Sequence, residues 1–141
     1  MQVHLDKTIN TNEKIIPGIP FFFYAGSCIC TNWEPDKIYD IYVTATLDAK
    51  WHIYAQEAGE GPEPTSLSFA KNPLIKLEGK VKEDGKLEKE YDKNFGSELK
   101  FYSNKVSFVQ RIKVKSPVST IVKGNINYMV CNDRKCLPPK E

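Results

Sequence analysis

The sequence predicts an all-β protein, an antiparallel β-sandwich. Apolar and polar side chains alternate with a period of two residues in many short segments rich in Val, Ile, Thr, Tyr and Phe. About seven to nine such segments follow one another at intervals of roughly ten residues, which is typical of a sandwich and, as the alternative, of a closed barrel. No segment of about 11 or more residues carries the apolar stripe of an amphipathic helix.

The predicted strands begin near the amino terminus. "MQVHLDKTI" (1–9) has the pattern of a strand, and "SCICTNW" (27–33) is the next one. "EPDK" (34–37) has the composition of a turn, so we expect the chain to return antiparallel into the strand that follows it. "EDG" (83–85) predicts a hairpin turn between two shorter strands. Further strands are predicted at 40–47, 50–55, 66–70, 73–81, 86–91, 105–114 and 121–130.

Two long segments lack this alternation. "AGEGPEPTS" (58–66) is rich in glycine and proline, and "YDKNFGSELKFYSN" (91–104) is irregular. Loops of such length in a compact domain more often carry function than serve as plain connections. We therefore expect a functional site near one of these two loops.

The composition indicates a globular protein and gives no electrostatic case for binding nucleic acid. Of 141 residues, 40 % are hydrophobic and 27 % are charged. A single domain of this size and balance can bury its own core. The 20 Lys and Arg side chains barely exceed the 18 Asp and Glu and are scattered along the chain. No nucleic-acid partner is expected.

The amino-terminal part is treated as an extension. "IIPGIPFFFYAGSC" (15–28) is the most apolar segment, but it is too short to cross a bilayer and is broken by Pro17 and Pro20. Small residues precede its final cysteine, as at a lipoprotein cleavage site, whereas the segment before it is too polar for an export signal. We divide the chain into an extension, 1–26, which is an extra strand or a signal remnant, and a main domain, 27–141.

Four cysteines fall into two pairs, Cys28-x-Cys30 and Cys131-x4-Cys136. A zinc site is permitted by the spacing, although Cys28 and Cys30 would face the same way on a strand. A structural disulfide across the short second loop would contribute only about 2 kcal/mol. The third interpretation, a redox couple, is favoured because a short loop can open and close without disturbing the core. Cys28 and Cys30 are assigned no role, and the simplest interpretation is that they are small apolar side chains.

Charged residues beside the second pair bear on its reactivity. The thiolate is the nucleophile, and nearby cations favour it while anions oppose it. Arg134 and Lys135 lie between the two cysteines, and Asp133 acts against them. Because adjacency in sequence does not fix where these side chains point, all three interpretations stay open on the residues alone.

Three segments carry a resemblance to a known family: "WHIYAQ" (51–56), "GPEPTSLSF" (61–69) and "GNINYMVCNDRKCLPP" (124–139). Over residues 27–139 the chain resembles the amino-terminal periplasmic domain of the thiol–disulfide interchange protein DsbD family. The specific part is a strand that leads into Cys-x4-Cys and a pair of prolines. The resemblance implies an immunoglobulin-like antiparallel β-sandwich with one redox-active cysteine pair.

The resemblance also implies a function. Such a domain takes electrons from a thioredoxin-like donor domain and passes them to oxidised thioredoxin-fold acceptors in the periplasm, of the disulfide isomerase and cytochrome c maturation types. The chain would then be a protein-disulfide reductase within a larger relay, and it would reach the membrane only through further domains of a full-length protein. No metal or other cofactor is expected, since the electrons travel in the sulfur atoms.

The resemblance places particular residues at the site. Cys131 and Cys136 are the implied catalytic pair, with Cys136 forming the mixed disulfides. Family members shield the pair with a cap loop that bears an aromatic residue, and Phe95 in the second long loop is the candidate here. His52 and Tyr54 are expected near the pair. The family has a further strand after the cysteine loop. We expect either that this chain is a fragment that stops before that strand, or that the first 20 residues, with the strand predicted in "MQVHLDKTI", take its place.

A second function from another class also fits the sequence. An extracellular β-sandwich with a purely structural disulfide could bind protein or carbohydrate through its loops. Trp33, Trp51 and the tyrosines could form such a surface. The two functions differ at the cysteines, because a binding module should tolerate replacement of both Cys131 and Cys136 by serine.

Overall fold

The described chain consists of β-strands, turns and loops. The computed structural model describes residues 3–11, 22–24, 27–30, 34–93, 95–118 and 120–141, the first three ranges by their backbone alone. None of these residues lies in a helix. Among them there is accordingly no helix that is long and apolar enough to span a membrane. The all-β prediction is confirmed.

Ten strands form two antiparallel sheets in the described part of the chain. They are rich in the β-branched and aromatic residues that suit a pleated, half-buried surface. In chain order they are β1 (Val3–Thr11), β2 (Phe22–Tyr24), β3 (Ser27–Cys30), β4 (Ile38–Leu47), β5 (His52–Tyr54), β6 (Ser66–Phe69), β7 (Ile75–Asp92), β8 (Ser97–Val114), β9 (Thr120–Asn127) and β10 (Val130–Cys131).

The larger sheet is built around β8. β7 pairs with one edge of β8, while β4 and β5 pair with successive parts of its other edge. Phe101, for example, has Glu88 of β7 on one side and Tyr54 of β5 on the other. β1 continues the sheet beside β4, and β10 continues it beside β5. β1 and β10 therefore follow one another along the same outer row.

The smaller sheet has the order β2-β3-β9-β6. β9 pairs with β3 on one side and with β6 on the other. After β9 the chain passes through Tyr128 and Met129 and joins the larger sheet as β10. This change of sheet carries the cysteine segment to the outer row of the larger sheet.

Apolar side chains of both sheets meet in a common core. In β4 every second residue between Ile41 and Leu47 is buried, because successive side chains of a strand point to opposite faces. The cluster that joins the two sheets includes Val43, Ala45, Val106 and Phe108 of the larger sheet and Ile126 of the smaller one.

The hairpin turn predicted at 83–85 is wrong. β7 runs without a turn from Ile75 to Asp92, because the equally long β8 offers it partners along nearly the whole length. Gly85 lies at a shift in the register between the two strands. A Cβ at this position would lie 3.1 Å from side-chain atoms of Tyr102 and Val106, so the glycine allows a close approach of the strands.

The long irregular loop predicted at 91–104 is also wrong. β7 extends to Asp92 and β8 begins at Ser97, and Lys93, Phe95 and Gly96 lie in the turn between them. The polar and glycine-containing composition of this segment resembled a loop, but pairing between the two long strands decides its structure. The loop predicted at 58–66 is confirmed for most of its length, with β6 beginning at Ser66.

The turn predicted at 34–37 is confirmed, but the hairpin expected from it is wrong. The Lys37 N–H donates to the Glu34 carbonyl at 3.3 Å, and Asp36 has a φ of 62°. β3 pairs with β2 and β9, whereas β4 pairs with β1 and β8. The chain therefore changes sheets at this turn.

The amino-terminal strand predicted at 1–9 is confirmed as β1, which pairs with β4. It lies beyond β10 in the same outer row of the sheet. The export-signal interpretation rests on 15–28, most of which lies outside the described residues. The division of the chain at residue 26 stays a prediction.

Replacing Phe108 by alanine should destabilise the fold by about 3–5 kcal/mol, because the ring is fully buried where the two sheets meet. Urea unfolding followed by tryptophan fluorescence measures the loss. Val118→Ala is the matched control, since this apolar side chain is 59 % exposed and its truncation should change stability by less than about 0.5 kcal/mol. Equal losses in the two variants would contradict this core.

Candidate active site

The two cysteines near the carboxyl end face each other across a tight hairpin. The structure joins Cys131 and Cys136 by a disulfide, with their Cα atoms 4.0 Å apart. The Leu137 N–H donates to the Val130 carbonyl and the Asn132 N–H donates to the Lys135 carbonyl, both at 2.9 Å. These two bonds flank the cysteines, which makes them a non-hydrogen-bonded pair, the position where facing side chains are closest.

Burial distinguishes the two cysteines. Cys131 ends β10 and is 2 % exposed, whereas Cys136 lies on the returning arm of the hairpin and is exposed. Beyond Cys136 the chain continues antiparallel to its own upstream segment, and Lys140 exchanges two backbone hydrogen bonds with Tyr128. A protein that approaches from solvent therefore meets Cys136 first.

The turn between the cysteines is organised by Asn132. Its side-chain Oδ1 accepts the N–H groups of Arg134 and Lys135, each at 2.9 Å. Short polar side chains of this kind often stand in for a backbone carbonyl in a turn. Asp133, Arg134 and Lys135 are exposed, so none of these charges is withdrawn from water.

A small apolar cluster on the outer face of the larger sheet buries Cys131. Val130 and Ile53 form a cross-strand pair and point into the core between the sheets. Their neighbours in sequence point to the opposite face because side chains alternate along a strand. There Cys131 packs in one cluster with Tyr54, Ala58, Leu99, Phe101 and Met129.

Phe95 packs against this outer cluster from the turn between β7 and β8. The turn is fixed by the Gly96 N–H, which donates to the Asp92 carbonyl at 2.7 Å, and by the Phe95 N–H, which donates to Asp92 Oδ1 at 3.4 Å. The Ser97 hydroxyl donates to the Glu60 carbonyl at 2.6 Å and ties the turn to the 58–66 loop.

Gly61 of the 58–66 loop makes room for the Phe95 ring. A Cβ at this position would overlap with ring atoms of Phe95, and the φ of Gly61 is 123°, a value that other residues rarely adopt. The two segments that were expected to be functional loops therefore do meet beside Cys131. The contact between them is made by Gly61 of the first segment and the Phe95 ring of the second.

His52 lies directly opposite Cys131 in the sheet. Its ring centroid is 4.4 Å from that of Phe101, and its Nε2 is 3.4 Å from the Tyr54 hydroxyl. Burial lowers the pKa of His52 below its usual 6.5, and nearby carboxylates, Asp133 first among them, oppose this effect. His52 is therefore neutral at pH 7.

Tyr54 lies two residues further along β5 on the same face as His52. Burial raises the pKa of Tyr54 to about 12, and the negative charge of Asp92 acts in the same direction. The phenol therefore keeps its proton throughout the physiological range. Its hydroxyl can donate to the neutral His52 ring or accept from it, according to the tautomer.

An acidic groove of about 430 Å³ opens beside the cysteine hairpin, with Asn132 and Asp133 in its lining. His52, Tyr54 and Phe101 form part of its wall. The carboxylates that line it come from β7 and from the cysteine hairpin, and Lys50 and Lys93 only partly balance them. These carboxylates are Glu88, Glu90, Asp92 and Asp133.

The disulfide between Cys131 and Cys136 does not fit the zinc interpretation. Zinc binds thiolates, and here the sulfur atoms of Cys131 and Cys136 are bonded to each other. Within the part of the chain that the structure describes, no group of three or more His, Cys, Asp or Glu side chains is arranged to hold a metal ion. The side chains of Cys28 and Cys30 lie outside that part.

Comparison with known proteins decides the family. The family described as "Thiol:disulfide interchange protein DsbD, N-terminal" matches residues 30–141, which is most of the chain. The chain belongs to the DsbD amino-terminal domain family. No individual curated protein matches it. Membership assigns a role in thiol–disulfide interchange, and the observed disulfide lies within the matched region.

The structure brings all five predicted site residues of this DsbD-type domain into one neighbourhood. Cys131, Tyr54 and Phe95 share the outer cluster, His52 is the strand partner of Cys131, and Cys136 is its disulfide partner. Sequence reasoning missed Asn132 and Gly61. A turn-forming asparagine directly after a cysteine was a usable signal for the first, whereas the contact of Gly61 with Phe95 joins distant segments and left no local sign.

His52 should make stability depend on pH. Because its pKa is lower in the folded state than in the unfolded chain, the folded protein binds fewer protons, and stability is lost as pH falls below about 6.5. Urea unfolding between pH 7.5 and pH 5 measures this loss, which should shrink in His52→Gln. His4→Gln, which removes the other histidine, is the control.

The same effect can be followed at the ring itself by an NMR titration of His52. Its midpoint should lie below 6.5, and Asp133→Asn should move it lower still, because that carboxylate raises the pKa. A midpoint at or above 6.5 would show that burial does not control this histidine.

Proposed function

We propose that this domain is a thiol–disulfide exchange module that carries two electrons on Cys131 and Cys136. The observation that carries the proposal is the unequal burial of one disulfide in a member of an interchange family. One cysteine is exposed on a hairpin and the other is buried beneath it. A structural disulfide does not need one accessible end, whereas an exchange reaction does.

The reaction begins at Cys136. A thiolate of a reduced partner attacks the Cys136 sulfur, the Cys131–Cys136 bond breaks, and the Cys131 sulfur leaves and takes up a proton. The second thiol of the partner then attacks the mixed disulfide and releases Cys136 as a thiol. The partner has lost two electrons and two protons, and the domain has gained them. Reduction of an oxidised acceptor follows the same steps in reverse.

The surroundings of Cys131 favour a protonated thiol in the reduced domain. Burial of the Cys131 side chain opposes a charged sulfur. His52 is neutral at pH 7 and supplies no full positive charge. Since the thiolate is the reactive form, a protonated and buried Cys131 would react slowly with small oxidants and keep its electrons for a docked partner.

Phe95 serves in this proposal as the cap over the pair. Its support is the packing of Phe95 on the cluster that buries Cys131 and the fit of its ring over Gly61. The turn that carries Phe95 is short, so the side chain rather than a long loop would move when a partner docks. His52 and Tyr54 complete the surroundings and fix the outer face beneath the cap.

Family membership supports the wider setting of the reaction. We infer that the domain works in the periplasm, receives electrons from a thioredoxin-like donor domain, and reduces thioredoxin-fold acceptors of the disulfide isomerase and cytochrome c maturation types. It would act as a protein-disulfide reductase within a larger, membrane-linked relay. The two sheets with their shared core are consistent with an immunoglobulin-like sandwich over 27–141.

Single-cysteine variants should separate the roles of the two thiols. With Cys28 and Cys30 replaced by serine, Cys131→Ser leaves the exposed Cys136, which should capture an oxidised thioredoxin-fold protein as a stable mixed disulfide. Cys136→Ser leaves the buried thiol and should give about tenfold less adduct. Non-reducing electrophoresis and mass spectrometry measure the adducts. Equal capture by both variants would contradict the assignment of Cys136.

The reduction potential of the Cys131–Cys136 disulfide, measured with Cys28 and Cys30 replaced by serine, distinguishes an exchange-active disulfide from a structural one. Titration against glutathione should give a value between about −120 and −270 mV, and a structural bond would lie below about −300 mV. A potential below about −300 mV would favour the alternative function, a binding module with a purely structural disulfide.

Removing the cap should speed reduction of the disulfide by a small thiol. Phe95→Ala should raise the rate with dithiothreitol by roughly three- to tenfold, because access to the sulfur increases. Gly61→Ala should act in the same direction by displacing the ring. Gly79→Ala is the matched control, since it also has a positive φ of 71° but nothing within 4 Å of the added Cβ. An unchanged rate in Phe95→Ala would remove the cap from the mechanism.

A further inference from the structure

The hairpin between the cysteines is held by bonds that involve no sulfur. On one side of the cysteine pair the Leu137 N–H reaches the Val130 carbonyl, and on the other the Asn132 N–H reaches the Lys135 carbonyl. The Asn132 side chain adds two more bonds, to the N–H groups of Arg134 and Lys135. None of these four hydrogen bonds has a cysteine sulfur as donor or acceptor.

The Asn132 side chain replaces a backbone acceptor that a regular hairpin would use. In a two-residue hairpin loop the Lys135 N–H would bond to the carbonyl of the residue three positions earlier. Here the Lys135 N–H donates to the side-chain Oδ1 of Asn132 instead, and the Arg134 N–H donates to the same oxygen. One side-chain oxygen therefore closes the turn that determines how far apart Cys131 and Cys136 lie.

We propose that Asn132 is a positioning residue for the exchange reaction, which keeps the Cys131 thiol opposite Cys136 after the disulfide has opened. This inference rests on the proposed function and names the group that makes the second half of each exchange fast. A thiol held in place attacks at a high effective concentration, whereas a thiol on a loose loop first has to find its target.

The step concerned is the resolution of the mixed disulfide. Cys136 is bonded to a sulfur of the partner, and the Cys131 thiol loses its proton and attacks the Cys136 sulfur. The Cys131–Cys136 bond forms, the bond to the partner breaks, and the partner leaves as a thiolate that takes up a proton. The two electrons stay with the partner, so no outside oxidant or reductant is involved.

The same placement acts on the equilibrium between disulfide and dithiol. A turn that is already closed loses little conformational freedom when the sulfur bond forms, which favours the disulfide. Opening the turn should therefore weaken the disulfide and slow resolution together. A residue that only stabilises the fold would change neither quantity, so a change in both the disulfide equilibrium and the rate of resolution indicates that Asn132 positions the cysteines.

Asn132→Ala tests the proposal in the Cys28→Ser, Cys30→Ser background. Loss of the two side-chain hydrogen bonds should shift the equilibrium with glutathione about tenfold toward the dithiol, which is about 30 mV. The mixed disulfide formed through Cys136 with a single-cysteine thioredoxin-fold probe should persist about tenfold longer in a stopped-flow assay. Asn132→Asp keeps an acceptor oxygen at the same place and should recover most of both effects at pH 7.

Asn72→Ala is the matched control. Asn72 organises another turn in the same way, since its Oδ1 accepts the Leu74 N–H at 2.9 Å, and its Nδ2 donates to the Thr120 hydroxyl at 2.8 Å. It does not belong to the cysteine hairpin. Its loss should lower the stability of the fold and leave the glutathione equilibrium and the lifetime of the mixed disulfide as in the unmodified domain.

Either of two results would overturn the role of Asn132: an unchanged glutathione equilibrium in Asn132→Ala, or an Asn132→Asp variant that behaves like the alanine variant. Failure of the proposed function would look different. The domain with all hairpin residues intact would then form no mixed disulfide with the probe, while the glutathione equilibrium would still report whether Asn132 positions the cysteines.

Discussion

Backbone hydrogen bonds on both edges of β8 are the constraint on which the rest of the structure depends. β7 lies on one edge, and β4 and β5 share the other. Because β5 is fixed against β8, His52 lies in register with Ser103 and Tyr54 with Phe101, and β10 can be added next to β5. The position of Cys131 thus follows from three successive strand pairings, β7 with β8, β8 with β5 and β5 with β10. Its burial follows from the side chains that these pairings bring together.

The parts of the fold that local alternation determines could be predicted from the sequence. β4, with side chains buried at every second position from Ile41 to Leu47, and the second half of β8 were expected at nearly their true places. The residues of 83–85 and 91–104 look like turns and loops because they are polar and contain glycine. Apart from the turn that carries Phe95 and Gly96, they belong to the strands β7 and β8, because these two long strands pair with each other and such tertiary pairing overrides a weak local preference. The sheet change after residue 34 leaves no local pattern either.

The candidate site divides in a similar way. The close spacing of Cys131 and Cys136 and the strand before them indicated a pair, and the hairpin brings the two sulfurs together. Their unequal burial could not be predicted, because the residues that pack with Cys131 come from three separated parts of the chain, 54–58, 95–101 and Met129. His52 illustrates the limit well. Its position in the sequence suggested proximity, but its neutral state depends on burial that only the assembled sheet creates.

The long strand β7 has a consequence for how the domain behaves among other proteins. Among the described strands it pairs with β8 alone, so its other side is an edge of the described sheet. Such edges are templates on which other chains can add a strand. Lysines recur along β7 at 76, 80, 82, 86 and 89, and the register with β8 shifts at two places. Repeated charge and interrupted regularity both oppose the stacking that leads to aggregates. This edge of the sheet is therefore a poor template for pairing with a second copy of the chain.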